Sequence, residues 1–271
     1  MDYSLKGCKL YEVIFASLFS YDHHAFMIRS FCEHWCPTTN TSHTSIWEVS
    51  ISLWNLYRIT GLPIIGFCYD EMVQSAEELS NDATKSLLPP SCWNLFLAYH
   101  RICSKTKGKS SIKLASWVSF WYKGSMKYAK PPKKSTMNKA QRPNKTHNPS
   151  REIDHVKSCT QLKMEVFHNL SVAEADVKET YLATFLAYWL CKFILPWEGV
   201  NLIRPRVFKV ASRMVQGETF SFVVPVLASI YNSFNEIACS SKLGTNAFIF
   251  LIHYLYWWLA EYFDTHFISP S

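Results

Sequence analysis

The chain has 271 residues, nearly half of them apolar and 15% aromatic, which is ample for a buried core and excludes wholesale disorder. Its formal charge of +7 is unevenly placed: no Asp or Glu falls between Ala83 and Arg151, where 15 Lys and Arg occur, while the remainder carries 13 basic against 21 acidic groups. A basic middle therefore separates two mildly acidic, core-forming parts.

The nine cysteines are odd in number, and Lys6, Lys9 and Glu12 interrupt any apolar leader at the start. Free, mostly buried thiols in a reducing compartment are the expectation. The most apolar run, "AFIFLIHYLYWWLA" (247–260), holds His253 and is followed by Glu261 and Asp264. It falls short of the roughly 18 to 20 apolar residues that cross a bilayer. It reads as a buried helix, and no membrane partner is expected.

In chain order, "DHHAFMIRSFCEHWC" starts from Asp22 as an N-cap, and Met27, Phe31 and Trp35 form an amphipathic stripe. Pro37 predicts that this helix ends at Cys36. Alternation at 49–51 predicts a short strand. Ser52 then caps a helix in which Leu53, Leu56, Tyr57 and Thr60 share a face, with Gly61 as left-handed terminator and Pro63 blocking continuation. "SAEELS" (75–80) offers a short capped turn. Helices follow at 91–103 and 111–122.

The stretch 123–151 has separated prolines, no acid and almost no large apolar residue, so it cannot offset its ordering entropy by burial. A loop or linker over 123–158 is predicted. Beyond it, Ser171 and Glu174 have capping-box spacing ahead of a long helix ending near Pro196. Pro205 opens and Gly217 closes a helix over 204–217. "SFVVPVLASIYNSFNEIA" tolerates Pro225 only in a first turn. A last helix spans about 246–263.

For chemistry, Cys32, Cys36 and His43 are the residues a zinc site would draw on. On one continuous helix Cys32 and Cys36 share a face, whereas His34 lies roughly 200° around the axis from Cys32. A fourth ligand is not evident, so the two cysteines read as small buried hydrophobes and no metal is expected. The chain has no Gly-x-Gly-x-x-Gly, P-loop, His-Glu-x-x-His or Gly-x-Ser-x-Gly, and only 8 glycines. His23 and His24 read as a helix first turn, and His253 as a core histidine. No catalytic residue stands out, and no enzyme is expected.

The basic stretch is the remaining candidate. Lys123, Lys127, Lys130, Lys133, Lys134, Lys139, Arg142 and Lys145 are placed to meet phosphates, with Tyr122 and Tyr128 to stack on bases. About six phosphate contacts would give a log–log salt slope of about −5 on duplex DNA. The same residues also read as a solvated linker or as a nuclear import signal around "KPPKK".

Together, Trp35 with "PTTNTSH", "ISLWNLYRITGLPIIG", "SFWYKG", "KTHNPS", "ETYLATFLAYWLCKFILP", "LIRPRVFKVASRMVQG", "VVPVLASIYNSFNEIA" and "IHYLYWWLAEYFDTH" resemble the plant mobile domain, the aminotransferase-like, Maintenance-of-Meristems-like group. The resemblance runs in order over nearly the whole chain and implies a plant protein. It assigns Trp35, Thr39, Asn40, Thr41, His43, Gly61, Pro63 and Gly66 to structural motif positions.

Such proteins occur as stand-alone nuclear proteins, as fusions to a phosphatase-like domain and inside transposable elements. The stand-alone members are linked to meristem maintenance, genome integrity and transposon silencing. The resemblance thus implies nuclear localisation and nuclear protein partners, a phosphatase-like one among them, with DNA or RNA as a further ligand. The family label implies no enzyme, and no cofactor is expected: no lysine is set for a pyridoxal Schiff base. Asn55 stands where relatives often carry an acid, which predicts a weakened capping box. The chain stops soon after "EYFDTHF", where relatives continue, as a short or element-derived copy would.

The fold expected is mainly α: a single bilobed helical domain with a small β element near 49–51 and 64–68. Its blocks, 1–122 and 159–271, are expected to pack through aromatic faces, and the long basic loop (123–158) to project. A nuclear, non-enzymatic module is the first functional reading. A transposable-element-derived protein binding nucleic acid through that loop is the second.

Overall fold

A computed structural model of the chain describes residues 10, 14, 25–69, 88–105, 111–122, 166–195, 201–239 and 252–263. The predicted basic loop, the turn at 75–80 and the histidines at 23 and 24 lie outside the described residues. Helices dominate: α1 (Ala25–Glu33), α2 (Leu53–Thr60), α3 (Pro90–Lys105), α4 (Leu114–Tyr122), α5 (Val177–Trp189), α6 (Phe208–Val215), α7 (Val223–Cys239) and α8 (Ile252–Phe263). The mainly α expectation is met.

The central element is α5. Its sequence, VKETYLATFLAYW, gives it no polar face beyond the first turn, and Leu182, Ala183, Leu186, Ala187 and Trp189 are all buried. A helix apolar on every side must be covered on every side. Here α3, α4 and α6 pack against it. It runs on into a π-helical turn, Leu190–Ile194, whose end is buried at Leu195. Its buried hydroxyls are matched from neighbouring helices. Asn94 Nδ2 on α3 donates to Thr180 Oγ1 at 3.0 Å, and Tyr122 OH on α4 lies 2.8 Å from Thr184 Oγ1. Trp117 Nε1 donates to the Thr184 carbonyl at 3.2 Å.

A second layer is formed by α2 with α7 and α8. Aromatic side chains join the two parts of the sequence. Phe31 meets Phe234 and Trp258, Trp117 stacks on Phe208 at 5.4 Å, and Trp121 meets Phe167.

Short ladders complete the joins. β1 (Trp35–Cys36), β2 (Thr41–His43) and β3 (Glu48–Val49) form an antiparallel sheet. β4 (Phe67–Cys68) pairs in parallel with β7 (Phe220–Ser221), and β5 (Ile112–Lys113) pairs antiparallel with β6 (Leu202–Ile203). The strands expected near 49–51 and 64–68 thus exist as Glu48–Val49 and Phe67–Cys68, but they belong to different sheets. Glu48–Val49 pairs with the neighbouring strand Thr41–His43, whereas Phe67–Cys68 finds its partner more than a hundred residues away, which local alternation does not reveal.

Local signals were read with mixed success. Pro205 opens a 3-10 turn (Pro205–Val207) leading into α6, and Pro225 sits in the first turn of α7, as predicted. Gly61 takes φ 69 after α2, and its N–H donates to Tyr57 O at 2.9 Å, the expected left-handed stop. The capping box expected from Ser171 and Glu174 does not form. Ser171 instead adopts φ 55, and its N–H bonds to His168 O while Val172 N–H bonds to Phe167 O, closing the helical turn at 166–169. Ala173 is the residue that precedes the next turn, without a side-chain cap.

The helix expected to reach Cys36 stops at Glu33. His34 Nδ1 lies 2.7 Å from Ser30 O, and Trp35 and Cys36 are taken into the sheet opposite Ser42 and Thr41. The weakened capping box at Asn55 is also overturned. Ser52 Oγ accepts from Asn55 N–H at 3.1 Å, and Asn55 Oδ1 accepts from Ser52 N–H at 2.9 Å, so the amide completes the box as a carboxylate would. The Asn55 amide nitrogen further donates to Tyr262 OH on α8.

Gly66 marks the tightest backbone approach. At φ 153 it lies against residue 219, where a Cβ would stand 2.4 Å from Thr219 O. Phe67 N–H donates to that same carbonyl at 2.9 Å. Arg213 on α6 covers the resulting ladder, 4.8 Å from the Phe67 ring centroid, with Glu218 at 2.6 Å. Gly66→Ala should therefore lower stability by about 2–4 kcal/mol by clash and strain. Chemical denaturation of the two proteins measures this, and an unchanged midpoint would contradict the close approach.

Candidate functional site

The sequence motifs converge on one place, the hairpin that carries Trp35, Thr39, Asn40, Thr41 and His43. Cys36 N and O face Thr41, and a four-residue loop (37–40) closes the turn with Asn40 at φ 54. Asn is among the few residues that enter the left-handed region at modest cost. Asn40 N–H donates to Cys36 O at 2.9 Å. Thr39 and Thr41 hydroxyls lie 2.6 Å apart, and Thr41 Oγ1 donates to Glu48 Oε2 at 3.2 Å. His43 is exposed, with Nε2 3.8 Å from Glu48 Oε1.

A polar chain ties this hairpin to α7. Trp35 is buried, and its Nε1 donates to Asn235 Oδ1 at 2.7 Å. Asn235 Nδ2 donates to Asn40 Oδ1 at 3.2 Å. Ser50 Oγ donates to Asn40 O at 2.7 Å and lies 2.9 Å from Tyr231 OH, which donates to Ile51 O at 2.6 Å. The Trp35 ring also packs on Phe234 at 4.6 Å and on Tyr231 at 5.6 Å.

Asn235, Tyr231 and Ser50 were not singled out from sequence. Their signal is there: Tyr231 and Asn235 recur at i, i+4 within the long apolar helix, a spacing that puts both on one side. Pro63 is buried downstream, and its carbonyl accepts from Val223 N–H at 3.5 Å, tying the end of the α2 segment to the start of α7.

The two cysteines have separate environments. The helix does break between them, but Cys32 stays in the core beside Phe31, where burial pushes its thiol up to about 11. Cys36 lies on the hairpin with Sγ 3.0 Å from Thr38 Oγ1, and hydrogen bonds with Thr38 and Thr39 pull its thiol down to about 6. Among the described residues, no three His, Cys, Asp or Glu side chains gather where they would hold a metal ion. The seven described cysteines carry no disulfide.

The eight basic residues from Lys123 to Lys145, and Tyr128, lie outside the described residues. Tyr122, expected to stack on bases, is half-buried, with its ring 5.0 Å from that of Tyr181. Its hydroxyl is engaged with Thr184 on α5, and burial pushes its pKa far above the usual phenol value. His253 sits against Tyr254 and Trp257, and burial lowers its pKa to about 4, consistent with a neutral core ring. No helix among the described residues is long and apolar enough to cross a membrane.

The described residues thus define a predominantly α-helical fold stitched by a few small sheets. The family model for the plant mobile domain matches residues 9–266, and the chain belongs to that family. Searches of curated proteins and of solved structures found no match.

Two measurements follow. Trp35→Phe keeps an aromatic ring but loses buried volume and leaves Asn235 without its indole donor, and should cost at least about 1–2 kcal/mol. A double-mutant cycle with Asn235→Ala should return a coupling of at least about 0.5 kcal/mol, and additive costs would show that the two side chains do not interact. For Cys36, alkylation by iodoacetamide should already be near its plateau rate at pH 7. The rate should fall as pH drops through about 6, because the thiolate is the nucleophile. Thr38→Val should move that midpoint upward, and Cys32 should remain unlabelled in the folded protein.

Proposed function

We propose that this plant mobile domain protein is a non-enzymatic nuclear module. It acts in genome maintenance, in the sense of transposon silencing, genome integrity or meristem maintenance, by binding nuclear proteins, a phosphatase-like partner among them. Nucleic acid is its second ligand. Family membership over residues 9–266 carries this reading. Two observations support it. The motif residues Trp35, Asn40, Gly61, Pro63 and Gly66 serve packing and backbone geometry, as in a scaffold. The cationic residues are segregated into one acid-free run, as a phosphate-binding segment requires.

That charge run also favours the second reading, an element-derived protein in which the segment binds nucleic acid for the element itself. The experiment is a tagged full-length chain expressed in plant cells, scored for nuclear accumulation and for co-purifying proteins and nucleic acid. Nuclear retention with a stable protein partner is expected. In parallel, binding of the purified chain to DNA and RNA should weaken steeply with salt and vanish on deletion of 123–151. A chain excluded from the nucleus overturns the first reading, and undiminished binding after the deletion overturns the assignment of Lys123 through Lys145.

A further inference from the structure

The exposed side of α2 is aromatic. In a helix of this size the solvent side is ordinarily polar. Here Leu56 and Thr60 are buried toward α7 and α8, while Trp54 is 62% exposed, Tyr57 41% and Leu53 38%. The Trp54 and Tyr57 rings lie 5.3 Å apart. Tyr262 of α8, 47% exposed and bonded to Asn55, borders the same helix. The turn that leads into β3 and α2 adds Trp47 at 61% and Ile46 at 77%.

Scattered apolar residues on a surface need no explanation, but a run of partly exposed aromatics along one short segment does. Trp and Tyr are the residues most enriched at the energetic centres of protein interfaces.

We propose that this segment, Ile46 to Arg58 with Tyr262, is the contact face of a homodimer, in which α2 packs antiparallel on α2 of a second copy about a two-fold axis. Area is the first argument. An aromatic side chain offers roughly 150–250 Å² for burial, so four of them at about half exposure, with Ile46 and Leu53, supply on the order of 500–600 Å² per copy. Counted over both copies, that reaches the small end of specific interfaces, about 1,000–1,200 Å², which suits a reversible dimer.

Charge is the second argument. The segment Ile46 to Arg58 carries one acid, Glu48, and one cation, Arg58, so two antiparallel copies have balanced charge across the contact. The single cation, Arg58, lies in the last turn of α2 and is exposed, and Glu48 precedes the helix with its side chain about half exposed. A two-fold antiparallel arrangement brings Arg58 of each copy toward Glu48 of the other. A nucleic-acid strand is a poorer occupant, since one arginine between Glu48 and Glu261 makes no cationic groove.

The test is sedimentation velocity of the full chain across the micromolar range. The mass should rise from 31.4 kDa toward twice that value with concentration. Trp54→Ser with Tyr57→Ser should hold the chain at the monomer mass, with unchanged far-ultraviolet circular dichroism. Arg58→Glu should weaken the dimer at least about tenfold, and Glu48→Arg added to it should restore association. If the aromatic double variant fails to fold, the charge pair decides alone. A wild-type chain that stays monomeric at every concentration overturns the proposal, as does a dimer indifferent to these variants. A monomer that instead holds single-stranded oligonucleotide through Trp54 also overturns it.

Discussion

An α-helix without a polar side cannot stand at a surface, and α5 is such a helix. Covering it forces α3 and α4 from the first part of the chain and α6 from the second onto a single axis. Burial of each Leu or aromatic side chain there is worth about 1.5–3 kcal/mol, provided the hydroxyls buried alongside are bonded. Asn94 and Tyr122 meet that condition at the Thr180 and Thr184 hydroxyls. The packing of α3 and α4 on α5 is therefore set by bonds at two threonines as well as by the apolar side chains around them.

The second layer solves a different problem. A three-stranded sheet of two- and three-residue strands has too few ladder bonds to persist alone. It is held because Trp35 enters the core and because Asn235 and Tyr231 on α7 bond to Trp35, Asn40 and Ser50. Trp35, Asn40 and Ser50 thus hold the sheet to α7. These bonds are part-buried, so loss of one partner leaves the other polar group short of a bond it cannot fully replace from water.

Much of the local structure was legible in the residues. Ser52, Gly61 and Pro63 bound α2 correctly because capping and left-handed geometry act within four residues of one another. Pro205 and Pro225 marked helix starts for the same reason. The failures are equally physical. Pro37 suggested a helix through Cys36, yet strand pairing of Trp35 and Cys36 with Ser42 and Thr41 ended it earlier. Ser171 and Glu174 had the spacing of a box, but the preceding turn claimed Ser171 for its own termination. Asn55 was judged by the charge it lacks, whereas an amide oxygen accepts the same bond and the amide nitrogen adds one to Tyr262. Leu53 and Tyr57 were read onto the face of Leu56 and Thr60 yet are exposed, because periodicity reports that a face is apolar and says nothing of whether a neighbour covers it.

By itself the sequence determined the helical class, the family pattern, the segregation of positive charge and the ends of several helices, since these rest on composition and on forces that act within a turn or two of backbone. Tertiary structure alone decided which strands pair, which cysteine is buried, why residue 66 must lack a side chain and which aromatic rings meet solvent. Several of those depend on groups brought together across one hundred to two hundred residues, such as Thr219 against Gly66 and Asn235 against Trp35. A contact of that kind carries no local signature, because the residue on one side of it is chosen to fit a surface that exists only once the chain has closed.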